Sequence, residues 1–423
     1  MSVVIFVAMV AALLLLRVNV VLVLAAATAY IHLYFASGSA LEFLAQDIWF
    51  AIDREVLLSI PMFIIAGAVM TRGTIAARLI RVMSALTAPV PGGLAIAAVL
   101  SCAVFAAISG SSIVTMLAVG SIMYPALIQE GYDRNFSLGL MCSAGTLGII
   151  IPPSIPMILY GIMTETSITD LFVAGILPGL LLAALFCAYG LWVNRGRAVR
   201  PWDLREIATA IRDGVWALLM PVILLGGIYS GYYTPTEAAA VSLVYALVIE
   251  LLVHREMRPR DYVVVVYDTT RLLGTLLPLL AIAGSLNTVL DYEGVPREAA
   301  RFLAATLHDP WLQVVGINLL LLAIGCFMDI GSAILILAPL LLPTVQQIGL
   351  DPVHFGVVMI MNLEIGYLTP PVGINLFIAM VAFKESFGRI VVSVLPFIAL
   401  MLVALVLVIL IPDLALFLVQ AGR

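Results

Sequence analysis

Charge is what this sequence has least of. Asp, Glu, Lys and Arg make up 11% of its 423 residues, against roughly 25% in soluble domains. Lysine occurs once, as Lys384, and the net charge of −5 carries no basic patch, which argues against a nucleic-acid partner. The four cysteines (Cys102, Cys142, Cys187, Cys326) sit in apolar runs without a C-x-x-C spacing, and the four histidines (His32, His254, His308, His354) are scattered. That pattern argues against disulfides and a zinc centre. No G-x-S-x-G, H-E-x-x-H or G-x-x-x-x-G-K motif is present, so neither an enzyme nor a nucleotide-driven machine is expected, and no cofactor. Residues 1–34 are apolar, but Arg17 splits them and no clear cleavage site follows, so no cleavable leader is expected.

Apolar sequence fills the space that charge leaves. The chain is 63% hydrophobic with a mean hydropathy of +1.18, which implies a polytopic, all-α membrane protein of the inner-membrane type. Stretches of about 17–25 apolar residues are candidate spans. They fall at 2–34 (one long or two short helices), 55–70, 93–128, 135–161, 171–193, 215–231, 237–253, 262–290, 311–345, 354–383 and 388–420. Basic residues favour the cytoplasmic side. Placing the loops around Arg72–Arg81, Arg134, Arg195–Arg212, Arg255–Arg260 and Lys384–Arg389 inside puts 14 of the 20 basic residues there. The opposite loops then hold only Arg54, Arg297 and Arg301. Between Arg81 and Arg134 the chain must return to the side it left, so 93–128 reads as a hairpin from one face. By the same parity, 311–345 reads as a hairpin from the other face. Hairpins from opposite faces are the arrangement of an inverted repeat.

The repeat is visible in the residues. Adding 218 carries Pro125 to Pro343, Gly131 to Gly349, Asp133 to Asp351, Gly148 to Gly366, Pro152 to Pro370 and Pro153 to Pro371. Upstream, a three-residue shift aligns the tips "SGSS" (109–112) and "DIGS" (329–332), with Gly110 on Gly331 and Ser111 on Ser332. Each half therefore carries a hairpin with a small polar tip, then a helix interrupted by Pro-Pro. Proline inside a helix costs roughly 3 kcal/mol, and a freed carbonyl has no water to turn to in hydrocarbon. Transporters use such breaks to line a midplane site. The break frees carbonyls of the first half-helix (Gly148 to Ile151; Gly366 to Thr369) to ligate a cation, and exposes the N-terminus of the second half-helix to an anion. Hydroxyls of Ser109, Ser111, Ser112, Ser154, Ser332 and Thr369 add neutral oxygens. Asp329 is either a ligand or a cap of its tip; Glu364 either faces a cavity or pairs locally; Asn375 either reads a substrate or caps a half-helix. Transport by such a chain would draw on an ion gradient.

These segments resemble a known family. "IPMFIIAGAVMTRG" (60–73), "SGSSIVTMLAVGSIMYPALIQEGYD" (109–133), "GTLGIIIPPSIPMILYG" (145–161), "GIYSGYYTPTEAAAVSLVYAL" (227–247) and "GLDPVHFGVVMIMNLEIGYLTPPVGINLF" (349–377) are similar, in order, to the large (DctM-type) membrane subunit of tripartite ATP-independent periplasmic (TRAP) transporters. The resemblance implies a sodium-driven, elevator-type importer of a small organic acid, in a bacterial or archaeal inner membrane. Its partners would be a small four-helix membrane subunit, a periplasmic binding protein and membrane lipids, with Na+ as coupling ion. It implies a first sodium site at Ser109 to Ser112 with Gly148, Ile151 and Ser154. A second would form at Gly325, Asp329 and Gly331 with Gly366 and Thr369, and substrate would lie near Ser111, Pro152, Pro370 and Asn375. Residues 93–193 and 291–423 would be the two transport halves; 1–92 and 194–290, including the segment around Glu237, would be scaffold. Arg17–Val18–Asn19 stands where the family has a Gly/Pro-rich break. Two other readings compete: a stand-alone symporter of the divalent-anion:sodium type, and an ion channel built on the same hairpins.

Overall fold

The apolar blocks resolve into helices in the computed structural model, which describes residues 2–16, 18, 20–34 and 41–422. The first block is two short helices, α1 (Ser2–Leu15) and α2 (Val20–Tyr34); Arg17 and Asn19, where the family break is missing, lie outside the described residues. Then come α3 (Leu41–Ile52), a 3₁₀ turn (Glu55–Leu58) running into α4 (Ser59–Arg72), and α5 (Ile75–Thr87). The first hairpin is α6 (Gly93–Ser109) and α7 (Ser112–Gln129). The first broken helix is α8 (Arg134–Ala144), α9 (Leu147–Ile150) and α10 (Ile155–Thr164), bent by 40° at its break. Long helices α11 (Ile168–Val193), α12 (Leu204–Tyr229), α13 (Pro235–Val248, prolonged by a π turn, Ile249–His254) and α14 (Pro259–Tyr292) follow, then α15 (Val295–Thr306). The second hairpin is α16 (Pro310–Gly325) and α17 (Ile330–Gln347), and the second broken helix is α18 (Pro352–Tyr367) with α19 (Ile374–Phe383). The chain ends in α20 (Phe387–Leu410) and α21 (Asp413–Ala421). Among the described residues eight helices are long and apolar enough to cross a membrane, nine if the bent pair counts as one span.

Three helices escape a search for apolar runs: α3, α5 and α15. All are amphipathic. In α5 the side chains of Ile75, Ala76, Leu79, Val82 and Met83 are buried while Arg81 is exposed, so the charged residue that interrupts the run is what orients the helix. The block 388–420 is likewise two helices, parted at Ile411–Pro412, because α21 starts anew after the proline.

The two halves repeat in backbone detail. Gly131 and Gly349 both adopt positive φ, +77° and +80°. The hydrogen bonds Gly131 N–H to Ile128 C=O and Tyr132 N–H to Leu127 C=O recur as Gly349 to Gln346 and Leu350 to Val345, each displaced by the same 218 residues. Asp133 and Asp351 cap α8 and α18 through their side chains. Both Pro-Pro bonds, Pro152–Pro153 and Pro370–Pro371, are cis. One alignment needs correction. The helices α7 and α17 have the same 18-residue length and start at Ser112 and Ile330, so the 218-residue register runs unbroken back to their N-caps. Ser111 therefore corresponds to Asp329, not to Ser332, and the extra residues lie before the cap: the turn is 110–111 in the first tip and 326–329 in the second. Matching small residues to small residues misplaced it, because helix starts are set by caps rather than by size.

The basic loops collect at one end of the molecule. Arg81 of α5 pairs with Glu206 and Asp213 of α12, Arg78 with Glu256, and Arg72 with Asp268. On the same end Trp202 Nε1 donates to the Leu86 carbonyl, Arg200 pairs with Glu130, and Arg134 and Arg389 meet on Glu385. At the other end Arg54 donates to the Ile162 carbonyl in the last turn of α10 at 3.2 Å, joining two segments that the charge pattern put on one side.

Candidate functional site

Each hairpin tip is packed into the break of its own half. Gly148 lies against the first tip so closely that a Cβ there would collide with the Ser111 carbonyl oxygen and with Thr115 Oγ1. Its repeat partner Gly366 would place a Cβ 2.7 Å from the backbone of Gly325 in the second tip. Only a residue without a side chain allows these approaches. Each contact is tied by one backbone hydrogen bond: Ile155 N–H to Gly110 C=O at 3.2 Å, and Gly373 N–H to Cys326 C=O at 3.2 Å. The donors are 218 residues apart. A break that leaves backbone groups orphaned in hydrocarbon costs several kcal/mol per group; here the neighbouring tip accepts a hydrogen bond from the second half-helix.

Between the two tips lies a cavity of about 560 Å³. Ser109, Gly110, Ser111 and Ser112 line one side, Asp329, Ile330, Gly331 and Ser332 another, with Tyr367 between. The N-terminus of α10 contributes Ile155 and Pro156. The remaining wall is apolar apart from one hydroxyl: Ile64 of α4, and Leu272, Thr275, Leu276 and Leu279 of α14. Among the described residues no arginine, lysine or histidine lines it.

The expected site residues are distributed as follows. Ser109 is buried, with its Oγ 2.6 Å from Thr115 Oγ1; Thr115 was missed in the sequence, although it stands one helical turn beyond Ser111. Ser154 is the N-cap of α10 and its Oγ accepts from Met157 N–H at 3.4 Å. Ile151 ends α9, and its side chain packs toward Gly179 of α11. Gly325 meets the backbone of Leu363 and Gly366. Thr369 Oγ1 donates to the Ile365 carbonyl at 2.7 Å. Asp329 is the N-cap of α17: Oδ2 accepts from Ser332 N–H at 2.8 Å and Oδ1 from the Ser332 hydroxyl. It also lines the cavity, so capping and facing the cavity coexist. Of the four residues expected around substrate, Ser111 lines the cavity, whereas Pro152, Pro370 and Asn375 do not. Asn375 does not cap α19, whose N-cap is Gly373; it is buried, bonded to Glu364. The donors gathered at the breaks are oxygen atoms, and no group of three or more His, Cys, Asp or Glu side chains occurs among the described residues. This set fits a hard monovalent cation rather than a transition metal.

Many apolar spans, two helices broken at matched positions and a cavity between the polar tips of their hairpins define a class: a multi-pass α-helical membrane transporter. Comparison with known proteins narrows it. Residues 7–414 match the family model for the DctM component of the tripartite ATP-independent periplasmic transporter, and the chain belongs to that family. It is thus a large permease subunit of the inner membrane. The C4-dicarboxylate TRAP transporter large permease protein DctM of Pseudomonas aeruginosa is 42% identical over 90% of each chain. The isethionate TRAP transporter permease protein DctMQ of Oleidesulfovibrio alaskensis is 39% identical over 90% of this chain and 61% of its own length. In fold the chain is similar to the Alcanivorax borkumensis YdaH transporter, with a TM-score of 0.67, 13% identity and coverage of 96% and 97%.

Proposed function

We propose that this chain imports a small organic acid, driven by sodium, as the large subunit of a three-component system. The observation that carries the reading is the doubled arrangement of tip and break around one cavity, with hydroxyl and backbone oxygens at both breaks. In this reading each half holds one Na+. Ser109 and Ser112 with Gly148, Ile151 and Ser154 would hold the first; Gly325, Asp329 and Gly331 with Gly366 and Thr369 would hold the second. Substrate occupies the cavity beside Ser111. Among the described residues no basic side chain lines the cavity, so an acid there relies on bound Na+ and on the N-terminus of α10 for its charge balance. The relatives named for C4-dicarboxylates and for isethionate support an acidic substrate.

Coupling follows from geometry. With sodium absent, two tips lined by oxygen repel an anion and one another; with sodium bound, tip and break are joined and the site is complete. Residues 93–193 and 291–423 then move as one unit against a scaffold of 1–92 and 194–290, whose apolar wall of α4 and α14 slides past the cavity without a fixed charge to break. A small four-helix membrane subunit supports that scaffold, and a periplasmic binding protein delivers the substrate.

The test is uptake into proteoliposomes holding this chain, its small partner and the binding protein, with a panel of radiolabelled carboxylates and an imposed sodium gradient. Uptake that requires both sodium and the binding protein is the expected result. Uptake by this chain alone would mark a stand-alone symporter, and unsaturable currents a channel. Asp329→Asn and Thr369→Ala are each expected to raise the half-saturating sodium concentration about tenfold, equivalent to about 1.4 kcal/mol. Unchanged sodium activation in both would remove the second site.

A further inference from the structure

Glu364 is a fully buried carboxylate in α18, three residues before that helix ends at the second break. Among the described residues no basic side chain pairs with it. Asn375, on the other side of the break, donates Nδ2–H to Glu364 Oε1 at 3.0 Å, and the same nitrogen lies 3.4 Å from the Oγ of Ser112 at the start of α7. Two oxygens of this trio, Glu364 Oε2 and Asn375 Oδ1, are buried with no hydrogen-bond partner. Leaving a buried acceptor unpaired is costly, and a charged one more so. All three side chains are nearly or completely excluded from solvent: 0% for Glu364, 1% for Asn375 and 4% for Ser112. An intramembrane carboxylate in such a place is a functional site by default.

We propose that Glu364, Asn375 and Ser112 form a third sodium site, which shares only Ser112 with the first tip-and-break site. The ligands are the two orphaned oxygens, Oε2 of Glu364 and Oδ1 of Asn375, with Oγ of Ser112. The chemistry is that of a hard monovalent cation: oxygen donors only, with one carboxylate so that ion and site together are neutral. Asp329 makes the contrast plain, since both of its oxygens already accept hydrogen bonds from Ser332 and it faces the cavity. The tip-and-break sites each lie within one half. This one joins the first tip to the second broken helix, so sodium bound here fastens the two halves of the moving unit to each other.

The inference rests on the sodium-driven reading, and the experiment separates the two. Equilibrium binding of radioactive sodium is measured on the purified full chain with its small membrane partner in nanodiscs, with choline replacing sodium at constant ionic strength. Glu364→Gln keeps the size of the side chain and its acceptor for Asn375, and is expected to bind one sodium ion fewer per chain than the wild type. Asn375→Leu, read by the same count, is expected to lose the same ion. Thermal unfolding in choline checks that both variants fold. An equal sodium count in wild type and folded Glu364→Gln overturns the site. So does an infrared carboxylic-acid band in the sodium-loaded wild type that disappears in Glu364→Gln, since the carboxyl would then carry a proton instead. A wild type that binds no sodium overturns the sodium-driven reading itself, and this site with it.

Discussion

Glu385 gathers three donors onto one carboxylate. Tyr124 OH donates at 2.7 Å, Arg134 at 2.6 Å and Arg389 at 2.9 Å, while the Glu385 side chain is only 3% exposed. Burial works against its charge, but the hydrogen bonds from Tyr124, Arg134 and Arg389 outweigh it and hold the carboxyl below the usual glutamate range. A depressed folded-state value means stabilisation that is complete above the unfolded-state value, near 4.3, and is lost as pH falls through the lower folded one. Wild-type protein should therefore lose thermal stability below about pH 4.3, and Glu385→Gln should be less stable at neutral pH with a flatter acid limb. A scan of unfolding temperature against pH reads both. Gly148 and Gly366 act by what they lack. Gly148→Ala drives a methyl group into the Ser111 carbonyl, and overpacking of this kind costs about 1–3 kcal/mol. A lowered unfolding temperature together with lost sodium-driven uptake is expected; a variant indistinguishable from wild type would mean that the tip does not sit on the break. Both glycines were legible in the sequence as repeat partners. What they touch came only from the family resemblance, because the tip is 37 residues from Gly148 along the chain at Ser111, and proximity across that distance has no local signal.

At the scale of elements, caps set where helices begin. Asp133 Oδ1 accepts from Phe136 N–H at 2.8 Å, and Asp351 Oδ1 accepts from Val353 N–H at 2.7 Å and His354 N–H at 3.2 Å. The pair is 218 residues apart and starts the two broken helices. Asp133→Ala and Asp351→Ala should each cost about 0.5–2 kcal/mol, with faster amide exchange confined to the first turns of α8 and α18; exchange that spreads to α10 or α19 would show that cap and break are not independent. The sequence exposed these residues as repeat partners, each the third residue of a Gly-x-Asp, but not as caps. It did not expose the register of the hairpin tips, since Asp329 caps α17 while Ser111, in the same place, caps α7 without a side-chain hydrogen bond. Amphipathic α3, α5 and α15 also went unread: a run that is half polar does not register as a membrane span, and only packing shows that the apolar face of α5 is covered.

For the whole molecule, the distribution of arginine put together loops that the structure joins by ion pairs, α4 to α14 and α5 to α12. Sidedness is open to direct test. Arg195 is exposed on the basic end, so a cysteine there should react with an impermeant maleimide from the inside only, and reaction from outside would invert the topology. Arg197 is a poorer probe, because it stacks on Tyr132 at 3.8 Å and donates to the Glu130 carbonyl. Composition alone decided that this is a membrane protein, since so little charge leaves no other solvent for the surface. Periodicity and internal repetition decided that two helices are broken at matched places, because proline and glycine impose their backbone effects wherever they stand. Only the tertiary structure decided which tip enters which break, and that Glu364, Asn375 and Ser112 share one buried cluster. Those contacts join residues up to 263 positions apart, and bringing them together is the work of packing whole helices, which no local pattern encodes.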